Sequence, residues 1–259
     1  TLGNTLAETA RAYFFRGDYA PARRMYREAL DAGLPAHAQI TVRNNLAMVY
    51  KMQGMLDYAL ELFEESLVNA RALGLAAQES FLLNNIGVVL RETGRHEEAL
   101  EKHRLALDID RSIGDKSAEV VDVNNIALAL RLSGNPDGAR DMIESVLPTA
   151  RDVSSYDDLL RTLINYAGSC RAAADADSAL RHYREAASLA EETENRERLW
   201  NALYGMAETL SETGRRAEAI ENLEKAVDVI ETLRAGIGGT GDEKSFFMAD
   251  KLKVYSRLI

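Results

Sequence analysis

One spacing constrains this chain more than any other feature: small residues that return every forty positions. Gly54, Gly94, Gly134, Ala174 and Gly214 fall forty residues apart, and Ala59, Ala99, Ala139, Ala179 and Ala219 each follow by five. Gly17 and Ala22 repeat the pairing thirty-seven residues before the first of these, making six copies. A unit repeated in this way cannot bury its apolar face alone, so neighbouring copies must stack. Seven positions before each turn residue stands Ala10, Ala47, Gly87, Ala127, Ala167 or Ala207, and three further on stands Tyr13, Tyr50, Leu90, Leu130, Cys170 or Leu210. The small residue lets two helices approach, and the larger one fills the space a turn later. A glycine at positive φ ends the first helix, while Pro21 and Pro136 lie near the start of the second, where a missing N–H costs little. Each copy reads as helix, tight turn, helix.

The second helices carry one apolar face at helical spacing, with Ala22, Tyr26 and Ala29 echoed by Ala59, Phe63 and Ser66 and by Ala179, Tyr183 and Ala186. These positions resemble the small, aromatic, small consensus of the tetratricopeptide repeat, over about residues 4 to 235. The forty-residue period, longer than the usual thirty-four, implies longer helices. Copies opening Asn-Asn-Leu-Ala or Asn-Asn-Ile-Gly, with Leu-Gly or Ile-Gly-Asp after the second helix, resemble the kinesin light chain branch of that superfamily. The implied fold is all-α, a right-handed α-α superhelix of about six hairpins over residues 1–235. Pro148 should bend or end the second helix of copy four, since it removes a hydrogen bond and clashes with the preceding turn.

Residues 236–241 form a glycine-rich break, and residues 242–259 should add a C-terminal helix that lays Phe247, Leu252 and Tyr255 on the last hairpin, as solenoids need a cap. Residues 230–234 with 244–255 are similar to the segment joining such arrays to CHAT domains, caspase-like proteases of bacteria. That resemblance implies a recognition or regulatory arm of a larger bacterial protein continuing past Ile259.

Composition narrows the function classes. The one cysteine, Cys170, cannot form an internal disulfide, no apolar run could span a bilayer, and no leader segment is visible, which points to the cytoplasm. A formal charge of −10 argues against nucleic-acid and anionic-membrane partners. His37, His96, His103 and His182 fall in unrelated phases of the repeat without metal-ligand spacing, and no phosphate loop or metalloprotease element occurs. Cys170 and Trp200 read as packing. No enzyme, cofactor or metal is expected.

The first helices carry a polar row instead. Asn44 and Asn45, Asn84 and Asn85, Asn124 and Asn125, then Asn165 alone, precede each small residue by three and two positions. Lys51, Arg91, Arg131 and Arg171 follow it by four, nearly two turns beyond the first asparagine of each pair and on the same side. Mid-helix asparagine brings no helix stability. Its amide both donates and accepts, which suits the backbone of an extended peptide, and the basic row suits carboxylates. The other reading has one asparagine of each pair fixing the hairpin spacing. In the sixth copy Tyr204 and Gly205 replace the pair, and Glu208 and Glu212 enter. A second basic row, Arg71, Arg111 and Arg151, reads as struts to the next copy. The expected function is capture of an extended, acidic protein or peptide segment across copies two to five, from a separate protein or from the same chain. Self-association into a homo-oligomeric scaffold is the alternative.

Overall fold

The computed structural model describes residues 1–153, 155–236 and 251–257. Among them are thirteen helices and no strand. They run α1 (Leu2–Phe15), α2 (Tyr19–Asp31), α3 (Ala36–Met52), α4 (Leu56–Ala72), α5 (Ala76–Glu92), α6 (His96–Ile113), α7 (Lys116–Leu132), α8 (Pro136–Val153), α9 (Tyr156–Ala172), α10 (Ala176–Glu192), α11 (Arg196–Glu212), α12 (Arg216–Gly236) and α13 (Leu252–Ser256). The first twelve pair as six consecutive hairpins. Two compact units divide the chain within α7, Thr1–Asn125 and Ile126–Ile259. No helix among the described residues is long and apolar enough to cross a membrane.

The forty-residue period resolves into two 17-residue helices and two three-residue turns, as in α3 and α4. At the first such turn Gly54 takes φ 74°, and the Met55 N–H reaches back 2.9 Å to the Tyr50 carbonyl, closing the helix. Copy five makes the same turn with Ala174 at φ 61°, its Asp175 N–H bonding the Cys170 carbonyl at 2.9 Å. The Cβ of an L-residue crowds the backbone there, at a cost of about 1 kcal/mol. Ala174 is exposed, so Ala174→Gly removes strain and no packing. We expect it to raise the urea midpoint by that order.

Each hairpin closes on its alanine. Ala22, Ala59, Ala99, Ala139 and Ala179 are 0% exposed. Four residues on, Tyr26, Phe63, His103, Ile143, Tyr183 and Leu223 are all buried. Each fully buried apolar side chain of this size is worth about 1.5–3 kcal/mol, far more than the exposed ion pairs outside, so burial holds the stack. The second basic row does strut to the next copy: Arg71 Nε lies 2.7 Å from Glu79 and Arg111 Nε 2.8 Å from Glu119, while Arg151 pairs with Glu185.

Two expectations are corrected. Of the two outcomes expected at Pro148, a bend or an end, the end is contradicted, for α8 runs on to Val153. The residue is exposed and near the helix end, so water can serve the Glu144 carbonyl it leaves without a donor. At the C-terminus Leu252 is 58% exposed, and Val254 at 0% takes the buried place. Val254 shares a face with the buried Lys251, three residues earlier, and Leu252 points away. Tyr255 is half-buried and donates its hydroxyl to Glu231. Phe247 and the break beyond Gly236 lie outside the described residues.

Candidate functional site

In the first unit the two asparagines of a pair do different things. Asn44 is buried, donates to Asn45 at 3.3 Å, and accepts from Asn85 of the next hairpin at 2.8 Å. Asn84 is more heavily engaged. Its carbonyl accepts from Asn125 at 3.2 Å and lies 2.8 Å from His103 Nδ1, and its amide donates to Asp122. Because that carbonyl can only accept, His103 must carry its proton on Nδ1. Asn124 is 1% exposed and donates to the Val120 carbonyl of its own helix at 2.9 Å. Asn44 and Asn84 are thus tied to neighbouring helices, while that bond of Asn124 stays within its own.

The second asparagines are only partly buried. Asn45 hydrogen-bonds Tyr26 of the preceding hairpin, while Asn85 and Asn125 spend one N–H each on Asn44 and Asn84. These bonds fix the orientation of each amide, Asn45 also accepting from Asn44, and a side-chain amide can form more than these.

Lys51 beside this row is paired with Glu92 of the next hairpin at 2.9 Å, and Arg91 is half-buried. In the second unit Arg171 lies 2.9 Å from Glu208 and 3.2 Å from Glu212. Arg131 packs close to Gly168, whose added Cβ would lie 3.6 Å from the guanidinium carbon. Burial, then the charge of Arg171, disfavour the Arg131 cation, while Tyr183 and Glu208 favour it. Asn165 is half-buried on α9.

In the sixth copy glycine takes the place of the second asparagine. Gly205 lies under the Tyr183 ring, and a Cβ there would sit 2.3 Å from Tyr183 Cζ. Tyr204 meets α13, with Lys253 Nζ 5.0 Å from its ring centroid.

His103, one of four histidines that each stand in a different phase of the repeat, has a packing role. It occupies the ring position of copy three, four residues after Ala99, and is 0% exposed. A Cβ on Gly87 would come within 2.5 Å of the imidazole, so glycine replaces alanine there. Burial, then Arg91, hold the His103 pKa down at about 3. Beside it is a second polar group that sequence reasoning missed. Asp122 and Asp110 are 0% and 2% exposed and hydrogen-bonded to each other, and Ser80 donates to Asp110. Burial first, and the Asp110 carboxyl next among the raising causes, push Asp122 up to about 8, against the Asn84 hydrogen bond. Cys170 is buried and its thiol is pushed up to about 11 by desolvation, the reverse of an activated nucleophile. Trp200, 1% exposed, packs in the core of the last hairpin.

A family model described as tetratricopeptide repeat matches residues 38–112, 78–152, 117–192 and 158–232, and a second of the same description matches 4–28. A comparison with curated proteins finds no match. Among solved structures, the kinesin light chain repeats of Podosopora anserina superpose with a TM-score of 0.62 at 16% identity, over 74% of this chain and 96% of that one. A Rap protein complexed with competence and sporulation factor gives 0.69 at 14%, over 98% and 74%. NprR in complex with its cognate peptide NprX gives 0.70 at 17%, over 95% and 68%.

Proposed function

Since the chain belongs to the tetratricopeptide repeat family, we propose that it is a protein- or peptide-binding module using the exposed sides of its first helices. The observation that carries this reading is the set of amides at Asn45, Asn85 and Asn125 in the first unit, each oriented by a bond to its neighbour and only partly buried. Amides held in advance lose little freedom on binding, and they match the backbone of an extended segment without reading its side chains. Structural neighbours crystallised with a cognate peptide or with competence and sporulation factor support the same use. No catalytic role is proposed.

The ligand we favour is acidic. Its carboxylates would exchange with Glu92 at Lys51 and approach Arg91 in the first unit, and would meet Asn165, Arg131 and Arg171 in the second. Exchange between carboxylates gains less than pairing a bare cation, so the amides supply most of the affinity and charge supplies rate and selectivity. With a partner caught by pulldown, titration calorimetry at low and high salt separates the contributions. Lys51→Glu with Arg91→Glu should weaken binding and flatten its salt dependence. Asn85→Ala with Asn125→Ala should weaken it at every salt concentration, by about 0.5–1.5 kcal/mol per lost bond. Both asparagines also join hairpins, so melts must show the variant folded at the assay temperature. Unchanged affinity in both variants would place the binding surface elsewhere.

The C-terminal resemblance carries a further proposal, that the chain serves as the recognition arm of a larger bacterial protein with a caspase-like protease, in the cytoplasm. Self-association is favoured by one observation, Leu2 and Phe15 at 71% and 78% exposure on the first hairpin. Light scattering over a concentration series tests it.

A further inference from the structure

Near the end of the second unit two guanidinium groups among the described residues share one carboxylate. Glu208 on α11 lies 2.9 Å from Arg171 through one oxygen, and through the other it accepts the Tyr204 hydroxyl at 3.0 Å and lies 3.8 Å from Arg257. Glu212, one turn on, is the second partner of Arg171 at 3.2 Å. Arg131 is also within the field of Glu208 and Arg171. Among the described residues the cluster sets Arg131, Arg171 and Arg257 beside Glu208 and Glu212. A hollow of about 430 Å³ adjoins it, lined in part by Glu208, Ser211, Glu212, Ile220 and Arg257, which gives a carboxylate room to enter and Glu208 room to turn.

Arg257 ends the segment that closes the last hairpin. Val254 is buried against Trp200, Tyr204 and Ile230; Lys251 Nζ lies 5.1 Å from the Trp200 ring centroid; and Lys253 lies 5.0 Å from that of Tyr204. Set beside the other polar pairs of this segment, Lys251 with Glu197 at 3.3 Å and Tyr255 with Glu231, the Arg257 pair at 3.8 Å is the longest and, with the arginine 63% exposed, the most easily improved.

We propose that Glu208 is a counter-ion shared by Arg171 and Arg257, so that a carboxylate arriving at Arg171 releases Glu208 to Arg257 and fastens α13 onto the last hairpin. The trigger rests on the acidic-ligand reading above; the exchange itself rests on the geometry of this unit alone. The coupling is positive because Arg171 keeps Glu212 and gains the ligand while Glu208 exchanges one cation for another. Linkage then requires that whatever holds α13 down also tightens the ligand.

The test uses hydrogen exchange of the α13 amides, with acrylamide quenching of Trp200, the single tryptophan, as a second reading of the same opening. Arg257→Ala should speed α13 exchange, and Arg171→Ala should slow it, each by about twofold, the range open to partly exposed ion pairs. Arg171→Ala should have no effect once Glu208 is glutamine or Arg257 is alanine. Circular dichroism establishes that each variant is folded, and Arg171→Gln provides a milder replacement. An Arg171→Ala effect that persists in the Glu208→Gln background would overturn the exchange, as would its absence in the parent. Hexaglutamate, added to the parent, should slow α13 exchange and should do nothing to Arg171→Ala. If the variants behave as expected and hexaglutamate has no effect at any concentration, the exchange stands, and the trigger and the acidic-ligand reading fall together.

Discussion

Gly205→Asn, which gives the sixth hairpin the residue that copies two to five carry at this position, is expected to destabilise the protein by roughly 2–3 kcal/mol. A Cβ alone at 205 would lie 2.3 Å from Tyr183 Cζ and 2.7 Å from its hydroxyl oxygen, and asparagine adds three more heavy atoms in the same direction. The ring has no easy retreat. Tyr183 is 4% exposed and packs among Ala167, Ala186 and Ala202. In stacked repeats such damage reaches the neighbouring interfaces as well. For a chain of this size each kcal/mol shifts the thermal midpoint by about 2–4 °C, which a circular dichroism melt resolves easily. The clash has a specific remedy. Tyr183→Leu copies the side chain that the sixth hairpin uses at the same place, Leu223, and makes room for an amide. Combined with Gly205→Asn it should recover most of the loss, although Tyr183→Leu alone costs stability in the parent. Two variants whose losses simply add would show that ring and glycine are not in contact.

That pair also shows how far the repeat could be read in advance. The hairpins were legible because a close helix approach admits only small side chains, so Ala99 or Ala139 recurs whatever surrounds it. The polar row was legible as a row, but the division of labour within each pair was not. Asn44 and Asn45 are adjacent in sequence, and only the stacking of hairpins turns Asn44 towards the next copy and Asn45 towards the one before. The ion pairs of Lys51 with Glu92 and of Arg171 with Glu208 join residues about forty positions apart, so no local pattern announces them. His103 hid because its type suggested chemistry while its phase, four residues after Ala99, placed it in the core. The usable signals were compensations within the repeat, glycine for alanine at 87 opposite a ring at 103, and glycine for asparagine at 205 opposite the ring at 183.

Asp122→Asn should abolish a loss of stability that the parent suffers as the pH rises from 6.5 to 8. Asp122 on α7 faces Asp110 on α6 and Asn84 on α5, with Asp115 as a further acid acting on it, His103 held neutral by burial, and Arg91 acting on His103. Its pKa is raised from the ordinary 3.8 to about 8, chiefly by desolvation, so the folded chain holds a proton that the unfolded chain releases. The sign follows directly. A raised folded-state pKa contributes stability that is full below about pH 4, erodes as the unfolded state ionises, and is gone once the pH passes about 8. His103 works the other way. With its pKa depressed to about 3, it contributes stability above its ordinary 6.5 that is lost as the pH falls towards 3. Between 4 and 6.5 the two oppose each other; above 6.5 the Asp122 contribution continues to fall. There the slope is on the order of 1 kcal/mol per pH unit for a single proton. Asparagine keeps the shape of Asp122, accepts the Asn84 amide through its carbonyl, and supplies Asp110 with a permanent donor where the proton stood. Urea unfolding at pH 6.5 and 8.0 should therefore show a falling midpoint in the parent and a level one in Asp122→Asn, with the variant the more stable of the two at pH 8.0. A parent that holds its midpoint over that interval would mean that Asp110 and Asp122 share no proton, and that water or a cation reaches the pair.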